Sequence, residues 1–338
     1  MTVELPTAQG WVRPVNEVSL QIGAGECLGL VGESGSGKTM LSLALMGLLP
    51  VGGRVNGEVS LVEGEARADN KKIQNQDSPD RIGATATTRK NLTTLTEAEW
   101  RAVRGQQIAM IFQEPMTSLN PVMRVGQQIE EAIRAHQPAH QSKMSKATLR
   151  ERVITAMRQA ALNEPERRAE QYPHQLSGGL RQRAMIAMAL ASGPLLLIAD
   201  EPTTALDVTV QKEILQLLQK LRRELRLGLL FITHDLGVVA QVADRVAVMY
   251  AGRIVEEGSA AQVLATPKHP YTQGLLGASP RLERGKLTPI PGSVPQLTQL
   301  PPGCAFEPRC AVRRSDCCVV VPELRKASPQ QAARCVLI

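Results

Sequence analysis

Aromatic side chains make up only 2% of this 338-residue chain, which holds three Phe, three Tyr and two Trp. That scarcity argues against a surface that reads RNA or single-stranded DNA by stacking bases on aromatic platforms. The net charge of +7 is compatible with nucleic acid or an anionic membrane surface, but it does not by itself point to either. No apolar run is long enough to span a bilayer. The opening stretch MTVELPTAQGWVRPV lacks the basic start and apolar segment of a secretory signal. The expected place is therefore the cytoplasm, with any membrane contact made through a partner. Internal repeats and heptad runs are missing. So are CxxC pairs, the spacing that usual zinc sites employ.

What is present suits a globular α/β protein. Hydrophobic residues make up 43% and charged residues 21%, enough for one sizeable core with length left for a second small unit. Glu17 to Ile22 alternates polar and apolar residues and predicts a strand. Cys27 to Val31 predicts a more buried one. Gly32 to Gly37 is a glycine-rich turn, and Thr39 to Leu49 reads as a helix. Residues 62–100 are polar and poorly patterned, which predicts a long surface insertion. Short apolar strands are expected at 108–112, 195–199, 229–233 and 246–250. Helices are expected at 177–192 and 208–225, and across 125–172. Strands alternating with helices imply a largely parallel sheet, interrupted by a helical subdomain at about 125–192. From about residue 280 repeated prolines break any long element, so 280–338 is expected to be an irregular tail. The first unit is accordingly placed at 1–279. Five of the six cysteines follow Gly303, and a thiol cluster at one end of a cytoplasmic chain points to metal before disulfides.

Three motifs carry chemistry. Gly32-Glu33-Ser34-Gly35-Ser36-Gly37-Lys38-Thr39 fits the P-loop pattern. Its glycines let backbone N–H groups turn toward phosphate oxygens, and the following helix aims its positive end at the same place. Lys38 would reach the β and γ phosphates, and the Thr39 hydroxyl would ligate Mg²⁺. The apolar strand ending in Asp200-Glu201 would deliver one carboxylate to Mg²⁺ and a second, Glu201, to polarise the attacking water. Leu176-Ser177-Gly178-Gly179 is a second helix start with open N–H groups, capped by Ser177. A single nucleotide site has no use for it unless two subunits meet head to tail.

In order and type, these elements resemble those of ABC ATPases. Leu176–Gly179 is similar to the family signature, Gln113 to its Q-loop glutamine, Thr204-Ala205-Leu206-Asp207 to its D-loop, and His234 to its switch histidine. The resemblance implies an α/β P-loop ATPase core with a helical subdomain. It also implies that Gln113 helps hold Mg²⁺ with Thr39 and Asp200, that Glu201, His234 and Gln113 serve hydrolysis, and that Asp207 lies at the ATP interface. Finer stretches are similar to the ATPases of oligopeptide and dipeptide importers: Gln113 to Pro121, Tyr172-Pro173-His174-Gln175, Asp200 to Asp207, and His269-Pro270-Tyr271-Thr272. Cys304, Cys310, Cys317 and Cys335 resemble that family's cysteine pattern, which implies a four-iron four-sulfur cluster. Zinc is the runner-up, and the adjacent Cys318 is a substitute for Cys317.

The same resemblance implies integral-membrane permease partners, a solute-binding protein reached indirectly, and a place on the cytoplasmic face of the inner membrane. Leu180 stands where the commonest signature has Gln, which resembles one of two paralogous ATPases and implies a second, different ATPase subunit. Leu5 occupies the place of the usual adenine-stacking aromatic, with Trp11 a few residues on. The rival reading is a soluble ABC ATPase of translation or nucleic-acid maintenance. Such relatives usually carry two ATPase units, a coiled-coil insertion or zinc fingers, and no nucleic-acid partner is expected here.

Overall fold

The computed structural model describes residues 1–63, 88–113, 118–136, 144–204, 206–279 and 287–338. Its centre is an eight-stranded sheet. Strands β3 (Cys27–Val31), β7 (Ile108–Ile111), β8 (Leu196–Asp200), β9 (Gly228–Thr233) and β10 (Arg245–Tyr250) run parallel, in the order β10-β3-β9-β8-β7. Every residue of β3 and β9 is buried. A continuous apolar run of this kind marks a strand covered on both faces. Because the strands are parallel, their C-terminal ends lie together, and β3 and β8 deliver the P-loop and Asp200-Glu201 to the same edge.

The covering helices follow from sequence pattern. Helix α1 (Lys38–Leu45) leaves β3 directly through the glycine turn. Helices α3 (Val125–Arg134), α4 (Lys146–Gln159), α5 (Pro165–Ala169) and α6 (Gly178–Leu190) form the helical unit. They pack Ile129, Ile133, Leu149, Val153, Met157 and Met185 into one core with Leu197 and Phe231 of the sheet. Helix α7 (Val208–Leu225) is capped by Asp207, whose carboxylate accepts from the Val210 N–H at 2.9 Å. Its inner face buries Ile214, Leu218 and Leu221.

Two expectations are corrected. Glu17–Ile22 forms no strand. Its apolar residues dock on the core as an irregular segment, with the Val18 N–H bonded to the Met1 carbonyl at 2.9 Å. The strands of this region are β1 (Thr2–Thr7), β2 (Gly10–Val15) and β4 (Arg54–Asn56), an antiparallel sheet. The expected insertion at 62–100 is narrower at both ends. β5 (Ser60–Glu63) pairs with β6 (Thr88–Asn91), and α2 (Glu97–Val103) follows behind a Thr96–Glu99 capping box. Leu92 and Trp100 are buried there, and residues 64–87 lie outside the described part.

The described tail, residues 287–338, is mostly irregular and is built into the main body. Its short strands β12 (Arg325–Ser328) and β13 (Gln331–Ala333) extend the central sheet through β11 (Arg253–Ser259). Phe306 packs on Tyr250 and Tyr271 with ring centroids 5.3 Å away from each. Apolar burial therefore supports this irregular segment.

Candidate ATP site and thiol pocket

Close backbone approach dictates the glycines of the P-loop. A Cβ at Gly37, where φ is +108°, would sit 2.0 Å from the Pro14 carbonyl oxygen, and one at Gly32 would sit 2.2 Å from that of Met249. No side chain fits at either place. Lys38, 6% exposed, donates from Nζ to the Gly32 carbonyl at 2.7 Å and the Glu33 carbonyl at 2.9 Å. The ammonium is thus stationed inside the loop, and burial pulls its pKa down against the attraction of Glu201, Asp200 and Glu33. The hydroxyls of Thr39 and Ser42 act on the Asp200 carboxyl, and that of Ser42 donates to the Thr39 carbonyl at 2.8 Å. Burial raises the Asp200 pKa, with those hydroxyls and Lys38 opposing it.

The Glu201 carboxylate is held on three sides. Oε2 accepts from Gln113 Nε2 at 3.0 Å and from the Thr204 hydroxyl at 2.9 Å, and Oε1 lies 3.0 Å from His234 Nδ1. Burial pushes its pKa up, but the His234 and Thr204 hydrogen bonds and the charge of Lys38 outweigh it, so the carboxylate is held below its ordinary range. Glu201 also has φ of +45°. A left-handed glutamate costs on the order of 1–3 kcal/mol, offset here by bonds from its N–H to the Ile232 carbonyl and from the Thr204 N–H to its own carbonyl. Gln113, the Asp200-Glu201 pair and His234, far apart in sequence, therefore gather beside Lys38 and Thr39. Residues 114–117 of the Q-loop segment and Ala205 of the D-loop lie outside the described part.

Ser177 caps α6 by accepting from the Leu180 N–H at 3.4 Å. Ser177, Gly178 and Asp207 are exposed. A Cβ at Gly179 would meet Val210 Cγ1 at 2.7 Å, so this glycine seats α6 against α7. Leu180 packs on the core of the helical unit.

Cys304, Cys310, Cys317 and Cys335 line one small cavity together with His269, Phe306 and Pro322. All are free thiols. Burial raises the pKa values of Cys304, Cys310 and Cys335, and the charge of neighbouring thiols adds to it. Cys318 is exposed and does not line the cavity, whereas Cys317 is buried. Among the described residues no group of three or more His, Cys, Asp or Glu side chains is arranged to hold a metal ion. Cys27 is a fully buried core residue whose thiol pKa is pushed up to about 12 by burial.

Two contacts were not foreseen. Arg309 forms a forked ion pair with Glu33 of the P-loop, at 2.7 and 3.0 Å. The Tyr271 hydroxyl accepts from the Glu33 N–H at 2.8 Å. Tyr271 stood in a stretch similar to peptide-importer ATPases, so a signal existed. Nothing singled out Arg309.

Comparison with known proteins accords with this geometry. Residues 15–204 match the family model described as ABC transporter, and residues 255–317 match that described as oligopeptide/dipeptide transporter, C-terminal region. The oligopeptide transport ATP-binding protein OppD of Salmonella typhimurium is 45% identical over 337 residues, covering 99% of this chain and 91% of that protein. The dipeptide transport ATP-binding protein DppD of Bacillus subtilis is 44% identical, covering 99% and 92%. The dimeric ATP-binding cassette MJ0796, in a post-hydrolysis state bound to ADP and Pi, superposes with a TM-score of 0.60 at 28% identity, covering 77% of this chain and 96% of that one. The chain belongs to the ABC transporter family, as an ATP-binding and ATP-hydrolysing subunit.

Proposed function

We propose that this chain powers the uptake of peptides, or of a closely related small solute, through a membrane importer. The observation that carries the reading is the match of residues 255–317 to the C-terminal region of oligopeptide and dipeptide transporters, joined to a complete set of hydrolytic residues. No helix among the described residues is long and apolar enough to cross a membrane, so transport requires permease subunits. Peripheral attachment to them at the cytoplasmic face of the inner membrane follows. A groove lined by Met46, Met110, Phe112, Met185 and Met188, next to Gln113, offers an adaptable apolar seat for a permease segment. The C-terminal match favours transport over a soluble role in translation or nucleic-acid maintenance.

In this reading the loop N–H groups and Lys38 bind the phosphates of ATP. Thr39, Asp200 and Gln113 would hold Mg²⁺, which neutralises charge on the β and γ oxygens. Glu201 orients and polarises the attacking water, and His234 faces the γ-phosphate. Ser177–Gly179 and Asp207 of a second subunit close over the same nucleotide. Closure moves the permease through the Gln113–Pro121 surface. Hydrolysis reopens the clamp, so ATP supplies the differential binding that shifts a two-state machine. Leu180 favours a different, Gln-type ATPase as that second subunit. Reconstitution with the permease should give ATP-dependent peptide uptake, and co-purification with nucleic acid instead of permease would sink the reading. Two copies of this chain alone in the intact transporter would refute the paralogous pair.

We further propose that Cys304, Cys310, Cys317 and Cys335, which line one cavity, hold a four-iron four-sulfur cluster, since four thiolates are the ligand set such a cluster needs. What favours the cluster over zinc is the sequence spacing, with gaps of five and six residues and no CxxC pair of the usual zinc kind. Its role would be structural, staking an irregular segment to the sheet. Protein purified without oxygen should carry iron, sulfide and visible absorption. Stoichiometric zinc without iron would overturn the cluster, and a folded tail with no metal would overturn both.

A further inference from the structure

The P-loop is braced from outside by the tail. Arg309 reaches across 276 residues of sequence to Glu33, and its side chain is only 4% exposed. Nη1 and Nη2 each donate to one Glu33 carboxylate oxygen, at 2.7 and 3.0 Å. Nε donates to the Pro291 carbonyl at 2.8 Å, and Nη1 also reaches the Tyr250 hydroxyl at 3.4 Å. The fork is thus fixed at its base as well as at its tips. Such planar, two-point pairing gives position as well as attraction.

Glu33 is a junction. Its N–H donates to Tyr271, its carbonyl accepts from Lys38 Nζ at 2.9 Å and from the Ser36 N–H at 3.2 Å, and its carboxylate takes Arg309. Moving Glu33 therefore moves the carbonyl that stations Lys38. Charge matters equally. Glu33 is an acid within a loop that must receive a polyanion, and an unpaired carboxylate there would repel phosphate. Arg309 removes that repulsion without occupying the loop.

We propose that Arg309 is a positioning residue for nucleotide binding, neutralising Glu33 and fixing the P-loop from the tail; this rests on the P-loop reading above. A purely structural role predicts lost stability in Arg309→Gln that no change at Glu33 repairs. The positioning role predicts a specific rescue. MgATP affinity and steady-state kinetics are measured for the full-length chain as wild type, R309Q, E33Q and R309Q/E33Q, with thermal unfolding as the folding control. R309Q should weaken MgATP binding by about tenfold and raise KM, with kcat at saturation within roughly twofold. E33Q breaks the same fork but removes the repelling charge, so it should weaken affinity less than R309Q does, and the double variant should recover the part of the R309Q loss that comes from the unpaired carboxylate. R309K keeps the charge and loses the fork. It should show a smaller loss of affinity in the same direction, and it replaces R309Q if that variant does not fold. Wild-type affinity in R309Q or R309K, or a double variant no better than R309Q, would overturn the proposal. K38A separates the two failures. Unchanged affinity in K38A sinks the P-loop reading itself, while lost affinity in K38A with none in R309Q sinks only the role of Arg309.

Discussion

Two helix N-termini in this chain are shaped for phosphate, and they are finished to different degrees. That of α1 is roofed by its own molecule: Pro14 and Met249 press on the glycines, Lys38 is buried, and Arg309 braces the loop from behind. That of α6 has the Ser177 cap and two following glycines, but Ser177 and Gly178 face solvent. In the proposed mechanism one is a site, and the other is half of a site that a second subunit completes. The difference separates binding from turnover. On that proposal a single chain suffices to bind ATP, and the exposed helix start is needed only once two chains close.

The sharpest break in that comparison comes at Glu201. E201Q should lower turnover by about 10²–10⁴-fold, because the group that orients water is lost while the phosphate contacts remain. ATP should then hold the two helix starts together, and size-exclusion should show an ATP-dependent dimer. Near-normal turnover would remove Glu201 from catalysis. Next in size is S177R, which puts bulk and positive charge on the exposed α6 terminus. Hydrolysis by the assembled transporter should fall by on the order of 10²-fold, while ATP affinity of the isolated chain stays unchanged. Loss of the cap should cost about 1 kcal/mol in unfolding free energy. Equal loss of binding in the isolated chain would show that α6 serves its own P-loop. K38A acts on the other helix start and should weaken equilibrium ATP binding about 10–100-fold, the worth of a charge-assisted hydrogen bond. The smallest effect concerns the base. Leu5 offers no stacking ring, and exposed Trp11 lies under the Arg54 guanidinium at 4.4 Å. GTP should compete with ATP within about fivefold, since affinity rests on phosphate contacts. A strong ATP preference abolished in W11A would instead assign the stack to Trp11.

The hydrolytic half of the molecule was legible because its signals are local. Gly32 to Thr39, the strand ending at Asp200-Glu201, and Leu176 to Gly179 each carry geometry within a few residues. Gln113 and His234 gained meaning only from their resemblance to a known order of motifs, and the structure brings both to Glu201. Strands β1 and β2 went unread because Pro6 and Pro14 mask them. Alternation at Glu17–Ile22 misled because docking on a core needs inward residues but not a ladder. Leu92 and Trp100 were lost in a polar stretch whose ends fold and whose residues 64–87 lie outside the described part. The brace from Arg309 had no local sign, for its meaning depends on a partner 276 residues away.

That separation also has a temporal side. A ribosome emits a chain N-terminus first, at roughly 5–20 residues per second. Crossing the 276 residues between Glu33 and Arg309 then takes on the order of 14–55 s. During that interval Lys38 and its glycines already exist, while the guanidinium that quiets Glu33 does not. If Arg309 positions the P-loop as proposed, a nascent cassette binds nucleotide poorly until Arg309 emerges and β13 zips onto β11. On that proposal a chain cut before Arg309 keeps every recognised ATPase motif yet lacks the brace beneath its P-loop.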